Sequence, residues 1–347
     1  MDTVLQALMK AYEIQGVFQI RNSYNRVGLD HVINVKVAST AVVSWVFGLE
    51  KEQAKAAISH AWIDGHPLRT YRHAPNAGPR KGWAGGDACM RAVHIVLQVR
   101  NGQPGLGTAL TAPRWGFYDV LYKGASFEFP KPFSSWCIEN ILFKVNCAEG
   151  HALTAVEAAL QVSEELAKRS KTVDDIKEVA IRTQQAAMDI INKQGPLHNA
   201  ADRDHCMQYM VAVVLIKGAM IDTVDYQDDS PYAQSKQVSD LRAKIKLYED
   251  PQITRDYHDL HIRSATNAIK ASLNDGTVLD EVVTEFPLGS PKRVETLPLC
   301  HEKAKTNLAL ILSEAGVQNV LSCWGSEDFL EKDVSSLLDL FVPELPS

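Results

Sequence analysis

Apolar side chains recur every three to four positions through most of residues 1–112, the spacing of helices that bury one face. Val4, Leu5, Leu8, Met9 and Tyr12 set that period within the opening stretch MDTVLQALMKAYEI, so the sequence starts inside a helix. Residues 31–47 are almost all apolar or small, interrupted by Asn34, Lys36, Ser39, Thr40 and Ser44. That pattern predicts a helix buried nearly all round, stopped by Gly48. A short amphipathic helix follows over 51–62, with Ala54, Ala57, Ile58 and Ala61 on one side. Residues 64–82 are rich in glycine, proline and basic side chains and read as a loop, and a further helix runs to about Val99. Neighbouring helices joined by short links predict helix-on-helix packing rather than alternating strands and helices.

The pattern changes after Pro130. EGHALTAVEAALQVSEELAK (149–168) is a strongly amphipathic helix, and KEVAIRT (177–183) reads as a strand. Asn274, Asp275 and Gly276 between IKASL and TVLDEVVTEF carry the turn chemistry of a hairpin. The expected architecture is mainly α with a smaller α+β domain. A helical domain covers 1–139, an α+β domain 140–290, and helices over 291–347 return to the first domain.

Composition narrows the function. The 347 residues carry 36 Lys+Arg against 42 Asp+Glu, a net charge of −6, which offers no broad cationic field for nucleic acid or an anionic membrane. No apolar run reaches the length of a membrane-spanning helix. Cys89, Cys137, Cys147, Cys206, Cys300 and Cys323 are scattered with no CxxC pair, which disfavours structural zinc and thiol–disulfide chemistry and fits reduced thiols. GWAGGDA (82–88) lacks the strand that precedes a dinucleotide loop, and no GxSxG, HExxH or phosphate-loop GKS/GKT occurs.

Against this acidic background HPLRTYRHAPNAGPRK (66–81) stands out. It holds His66, Arg69, Arg72, His73, Arg80 and Lys81 and no acid. A solvated basic loop is the plain reading. Tyr71, Trp83 and the glycines and prolines favour a shaped one, and arginine forks with lysine point charges suit a small polyanion carrying several carboxylates. RNSYNRVGLDH (21–31) places Arg21, Arg26, Asp30 and His31 ahead of the buried helix, where a lone histidine is more often structural. FKVNCAEGHA (143–152) brings Lys144, Glu149 and His151 to the domain junction. In RDHCMQYMVA (203–212), Tyr209 is by default a core tyrosine with a satisfied hydroxyl.

NSYNRVGLDHVINVKVAST, AWIDGHPLRTYRHAPNAGPRKGWAGGDA, LTAPRWGFYDVLYKG, GPLHNAADRDHCMQYMVAV and YEDPQITRDYHD together resemble the MmgE/PrpD family, in its 2-methylcitrate dehydratase branch. The resemblance runs over essentially the whole chain. It implies a large all-helical domain with an α+β lid and an active site in the cleft between them. It implies loss of water from 2-methylcitrate to give 2-methyl-cis-aconitate in propionate catabolism, with no metal or other cofactor. The small-molecule tricarboxylate is the implied partner, and a homodimer is expected. The compartment expected is the mitochondrial matrix or the cytoplasm.

By family position His31 and Lys81 are acid/base and charge-stabilising groups, Lys144 is a further cation, and Tyr209 is a hydroxyl donor or a polar substrate contact. Arg69, Arg72 and Arg80 clamp carboxylates, with His73 and His151 as further substrate contacts. Two departures stand out. Cys147 occupies the place where the family usually has proline. The family pattern also begins before Met1, with a stretch carrying an Asp- and His-containing part of the site, so a truncated, non-catalytic member is one alternative expectation. A cis-aconitate decarboxylase-like enzyme is the other.

Overall fold

The computed structural model describes residues 1–73 and 76–342. The chain divides into two compact units, Met1–Ile141 with Ala304–Ser347, and Leu142–Lys303.

The first unit is built from helices α1 (Asp2–Arg21), α2 (Val32–Val46), α3 (Lys51–Ala61) and α4 (Arg80–Arg100). Helix α2 packs against α1, α3 and α4 and is the pillar of the unit. The polar positions that interrupt its apolar sequence are absorbed by the helix itself. Thr40 Oγ1 donates to the Lys36 carbonyl (2.8 Å) and Ser44 Oγ to that of Thr40 (2.7 Å), so hydroxyls can be buried without stranding a donor. At the start of α3 the Gln53 side-chain oxygen accepts from Glu50 N (3.0 Å), satisfying one of the orphan amides of the first turn.

An aromatic cluster that periodicity does not announce fills the space beside these helices. Trp62 lies 5.0 Å from both Phe117 and Phe127, with Tyr24 and Tyr122 around them. The regular apolar face near the start of α1 is not covered by the chain: Val4, Leu5, Leu8, Met9 and Tyr12 are exposed. Burial on α1 comes instead at Glu13 and Val17. The Glu13 carboxylate accepts from Ser134 N (2.9 Å) and Cys137 N (2.7 Å), which ties down the 134–137 segment.

In the second unit, α5 (Leu153–Lys168) and α6 (Met207–Lys217) pack against each other. A mixed sheet has the order β2–β1–β3–β4. Its strands are β1 (Ile176–Thr183), β2 (Ile245–Glu249), β3 (Asn267–Leu273) and β4 (Val282–Thr284). Strand β1 runs parallel to β2, with Val179 opposite Ile245, and antiparallel to β3, with Ile181 opposite Ile269. Val179 and Ile181 point inward with α5 and α6 in one continuous core. The Asn274–Gly276 turn forms as its chemistry predicts: Gly276 takes φ +91° and Leu273 N bonds to Thr277 O (2.8 Å).

Gly289 shows where the second unit is tightest. Its φ is +106°, and an added Cβ would stand 1.8 Å from the Phe143 carbonyl oxygen while Phe143 N bonds to Gly289 O (2.9 Å). Alanine there combines a disfavoured backbone with a clash against backbone atoms. We expect Gly289→Ala to lower the stability of this unit by about 2 kcal/mol or more. Urea denaturation followed by circular dichroism checks this; an unchanged midpoint would contradict it.

Candidate functional site

The two basic and acidic clusters at 21–31 and 66–81 meet in the first unit. Leu29 and Leu68 form an isolated antiparallel bridge, Asp30 N donates to Pro67 O (2.9 Å), and Arg69 N donates to Gly28 O (3.3 Å). Gly28 permits the approach by adopting φ +82°. The bridge delivers Arg69 and Arg72, both in a 3-10 turn (Arg69–Arg72), to the Asp30 carboxylate.

Asp30 is 0% exposed and fully satisfied. Arg72 Nε donates to its Oδ2 at 2.5 Å and Arg72 Nη2 to its Oδ1 at 3.2 Å, a forked ion pair. Val32 N donates to Oδ1 (3.0 Å) at the start of α2, and Arg69 Nη1 lies 3.5 Å from Oδ2. Burial alone would push the Asp30 carboxyl up; the Arg72 hydrogen bonds, the His31 charge and the Val32 amide outweigh it and hold the carboxyl below its usual 3.8. The basic stretch therefore has its counter-charge in another segment. Arg72, expected to clamp a substrate carboxylate, commits its fork to the protein's own acid.

His31 stands on the rim of this pair. Its side chain is 43% exposed, with Nδ1 3.3 Å from Arg69 Nη1 and 3.8 Å from Asp30 Oδ1. Crowding by protein lowers its pKa from 6.5, Asp30 opposes that, and Arg72 and Arg69 add to it, with a net lowering. Arg80 opens α4, stacked 4.3 Å above the Trp83 ring and 5.4 Å above Tyr71, and 3.8 Å from Asp87. Lys81 follows in the first turn of α4, with Lys81 N bonded to Gly78 O (3.1 Å). His73 is exposed at the end of the 3-10 turn, and Ala74 and Pro75 after it lie outside the described residues.

The other expected site residues belong to the second unit. Glu149 accepts from His151 N (2.8 Å) and lies 3.0 and 3.1 Å from His151 Nδ1; Tyr257 Oη is 3.2 Å from His151 Nε2. Burial pushes the Glu149 carboxyl up, but the contacts with His151 overrule it and bring the pKa down to about 2. A carboxylate on Nδ1 fixes the tautomer, leaving Nε2 as an acceptor for the Tyr257 hydroxyl. Lys144 is exposed, and its carbonyl accepts from Lys303 Nζ (2.5 Å). Tyr209 is 2% exposed inside the core, and its hydroxyl donates to Asp225 O (2.7 Å). This placement favours its default core role. Arg203 is equally buried, holding Tyr226 O (2.7 Å) and Asp228.

Sequence reasoning named Asp30 but not its role as the hub, and it missed Tyr257, Asp87 and Arg91. The acid directly ahead of a helix was the readable signal for Asp30; the others carry no local one. Among the described residues no group of three or more His, Cys, Asp and Glu side chains gathers in a way that could hold a metal ion. No helix there is long and apolar enough to cross a membrane.

Comparison with known proteins gives consistent matches. Residues 1–130 match the MmgE/PrpD N-terminal domain and residues 147–325 the MmgE/PrpD C-terminal domain. The chain is 60% identical to the 2-methylcitrate dehydratase-like protein oryR of Aspergillus oryzae, over 99% of this chain and 69% of that protein. It is 49% identical to 2-methylcitrate dehydratase of Escherichia coli K12, over 99% of this chain and 71% of the relative. It is 47% identical to alkylcitrate dehydratase phiI of a fungus, over 99% of this chain and 67% of that protein.

The geometry at Asp30 sets a stability test. Replacing the buried acid with an amide leaves Arg72 half-buried without its charge partner, so Asp30→Asn should cost about 3 kcal/mol at pH 7. The carboxyl is depressed in the folded protein. Its contribution is therefore whole above 3.8 and is lost as pH falls through the lowered value. Denaturation curves of both proteins should differ at pH 7 and converge at strongly acid pH; a gap below about 0.5 kcal/mol at pH 7 would show that the pair is dispensable.

Proposed function

This chain belongs to the MmgE/PrpD family, and from that membership we propose that it is a hydro-lyase that dehydrates 2-methylcitrate to 2-methyl-cis-aconitate. The observation that supports the reading at residue level is the convergence of His31 and Arg69, from two sequence segments, on one satisfied buried acid, with Arg80 held nearby on the Tyr71 ring. In the elimination a C–H bond beside a carboxylate breaks, its proton passes to a base, and its electron pair becomes the new C=C bond. The C–O bond to the hydroxyl breaks, and the hydroxyl leaves as water with a proton from an acid. Charge accumulates on the adjacent carboxylate as the proton departs, and fixed cations stabilise it.

His31 serves as an acid/base group. Its lowered pKa keeps it neutral at physiological pH, and Arg69 orients its ring. Arg69, Arg80 and Lys81 supply the cations, whereas Arg72 positions Asp30. Glu149, His151 and Tyr257 form a second oriented acid–base group. The reaction proceeds without a metal or other cofactor. A homodimer and a mitochondrial matrix location complete the proposal; the relative from Yarrowia lipolytica bears the name 2-methylcitrate dehydratase, mitochondrial. A second reading, a longer alkylcitrate as substrate, is favoured by the fungal alkylcitrate dehydratase among the relatives.

The test incubates the protein with 2-methylcitrate, and separately with longer alkylcitrates, in the presence of a chelator. The expected result is conjugated-alkene absorbance with the unsaturated acid identified by mass. His31→Ala and Lys81→Ala should each lower kcat by on the order of a hundredfold. Activity that needs neutral His31 should persist as pH falls below 6.5 and fail only further down. No alkene from folded protein, or wild-type rates in both variants, would overturn the assignment.

A further inference from the structure

Between α2, α4 and the loop Asp64–Pro67, a cavity of about 200 Å³ is lined by Lys36, His66, Arg80, Asp87 and Arg91. It is smaller than the roughly 300–1,000 Å³ that drug-sized ligands occupy, and suits a small acid. Lys36 is 2% exposed on the most buried helix of the first unit. Its ammonium donates to the Asp64 carbonyl, and no carboxylate oxygen of the described residues lies within 4.0 Å of it. The rim charges are otherwise engaged: Asp87 is shared by Arg80 (3.8 Å) and Arg91 (3.3 Å), and Arg91 also reaches Asp64 (3.6 Å). A buried ammonium without a counter-ion is costly, and a protein keeps one where a ligand supplies the missing charge.

A second, independent observation concerns His66. Its Nε2 lies 2.8 Å from the Trp62 carbonyl, which can only accept, so Nε2 carries the proton. Nδ1 is then a bare lone pair, and it is buried without a hydrogen-bond partner. The cavity is thus lined by a cation with no carboxylate within ion-pair distance and an acceptor lacking a donor.

We propose that this cavity binds the 2-hydroxycarboxylate unit of a small organic acid, with the carboxylate on Lys36 backed by Arg80 and Arg91, and the hydroxyl donating to His66 Nδ1. A plain anion satisfies only the first demand. The choice of organic acid rests on the dehydratase reading; the charge and hydrogen-bond demands do not. Burial holds the Lys36 ammonium down to about 8, with Asp64 opposing and Arg91 adding, and burial together with Lys36 brings His66 down to about 4. Lys36 gains from a bound anion, and His66, kept neutral, gains from a donor at Nδ1.

The test is calorimetric titration of the protein with citrate, with tricarballylate (the same acid without its hydroxyl) and with inorganic phosphate. Citrate should bind about tenfold more tightly than tricarballylate, and that preference should vanish in His66→Phe. Lys36→Met should weaken citrate by on the order of a hundredfold while raising Tm without ligand, because an unpaired buried charge is removed. If Lys36→Met does not fold, Arg91→Gln with the hydroxyl comparison in the wild-type protein decides. Equal binding of citrate and tricarballylate, phosphate binding as tight as citrate, or wild-type citrate affinity in Lys36→Met overturns the proposal. Binding through Lys36 with no turnover of 2-methylcitrate would sink the dehydratase reading and leave the pocket. Turnover with an unchanged KM in Lys36→Met would do the reverse.

Discussion

A single buried carboxylate organises the first unit. Asp30 has no water to ionise into, so its charge survives only because donors from two chain segments converge on it. That requirement fixes the conformation of the 66–72 segment as firmly as any apolar contact. The consequences run outward: Arg72 also reaches the Tyr71 hydroxyl (3.1 Å), and the Tyr71 ring carries the Arg80 guanidinium on its face. The N-terminus of α4, and with it Lys81, is thereby tied to the acid ahead of α2.

The two oriented imidazoles are built on different principles. His151 has a carboxylate directly on one ring nitrogen, which sets its tautomer. His31 instead has an arginine at Nδ1 and sees its carboxylate from farther off, so its surroundings disfavour the extra proton.

Much of this was legible in the sequence, for identifiable reasons. The buried helix over 31–47, the strand near 177–183 and the Asn-Asp-Gly turn are local decisions written in local pattern, and α2, β1 and the turn follow them. Strand β2 was not read, because IKLYE follows α-helical Lys236–Lys244 with no breaker between them. The alternation there spans only five residues. On α1 the periodic face was clear but not its fate, since period identifies a face and not what covers it. In the basic stretch the residue types were plain and their partners were not. The acid that pairs Arg72 lies 42 positions away, a distance no spacing rule spans.

The cations of the first unit sort by how their charge is met. Arg72 is half-buried and paired by a fork, the arrangement of a residue whose purpose is architecture. Arg80 and Arg91 are half-exposed and share one acid, so water and Asp87 leave them partly available. Lys36 is fully buried with only a backbone oxygen. Hydrophobic residues of similar length would pack α2 against α4 at lower cost, so packing does not explain a lysine there. The same holds for His66, whose unprotonated nitrogen gains nothing from the protein around it. Two such unmet demands on residues that line one cavity are better accounted for by a molecule that enters it than by the fold that encloses it.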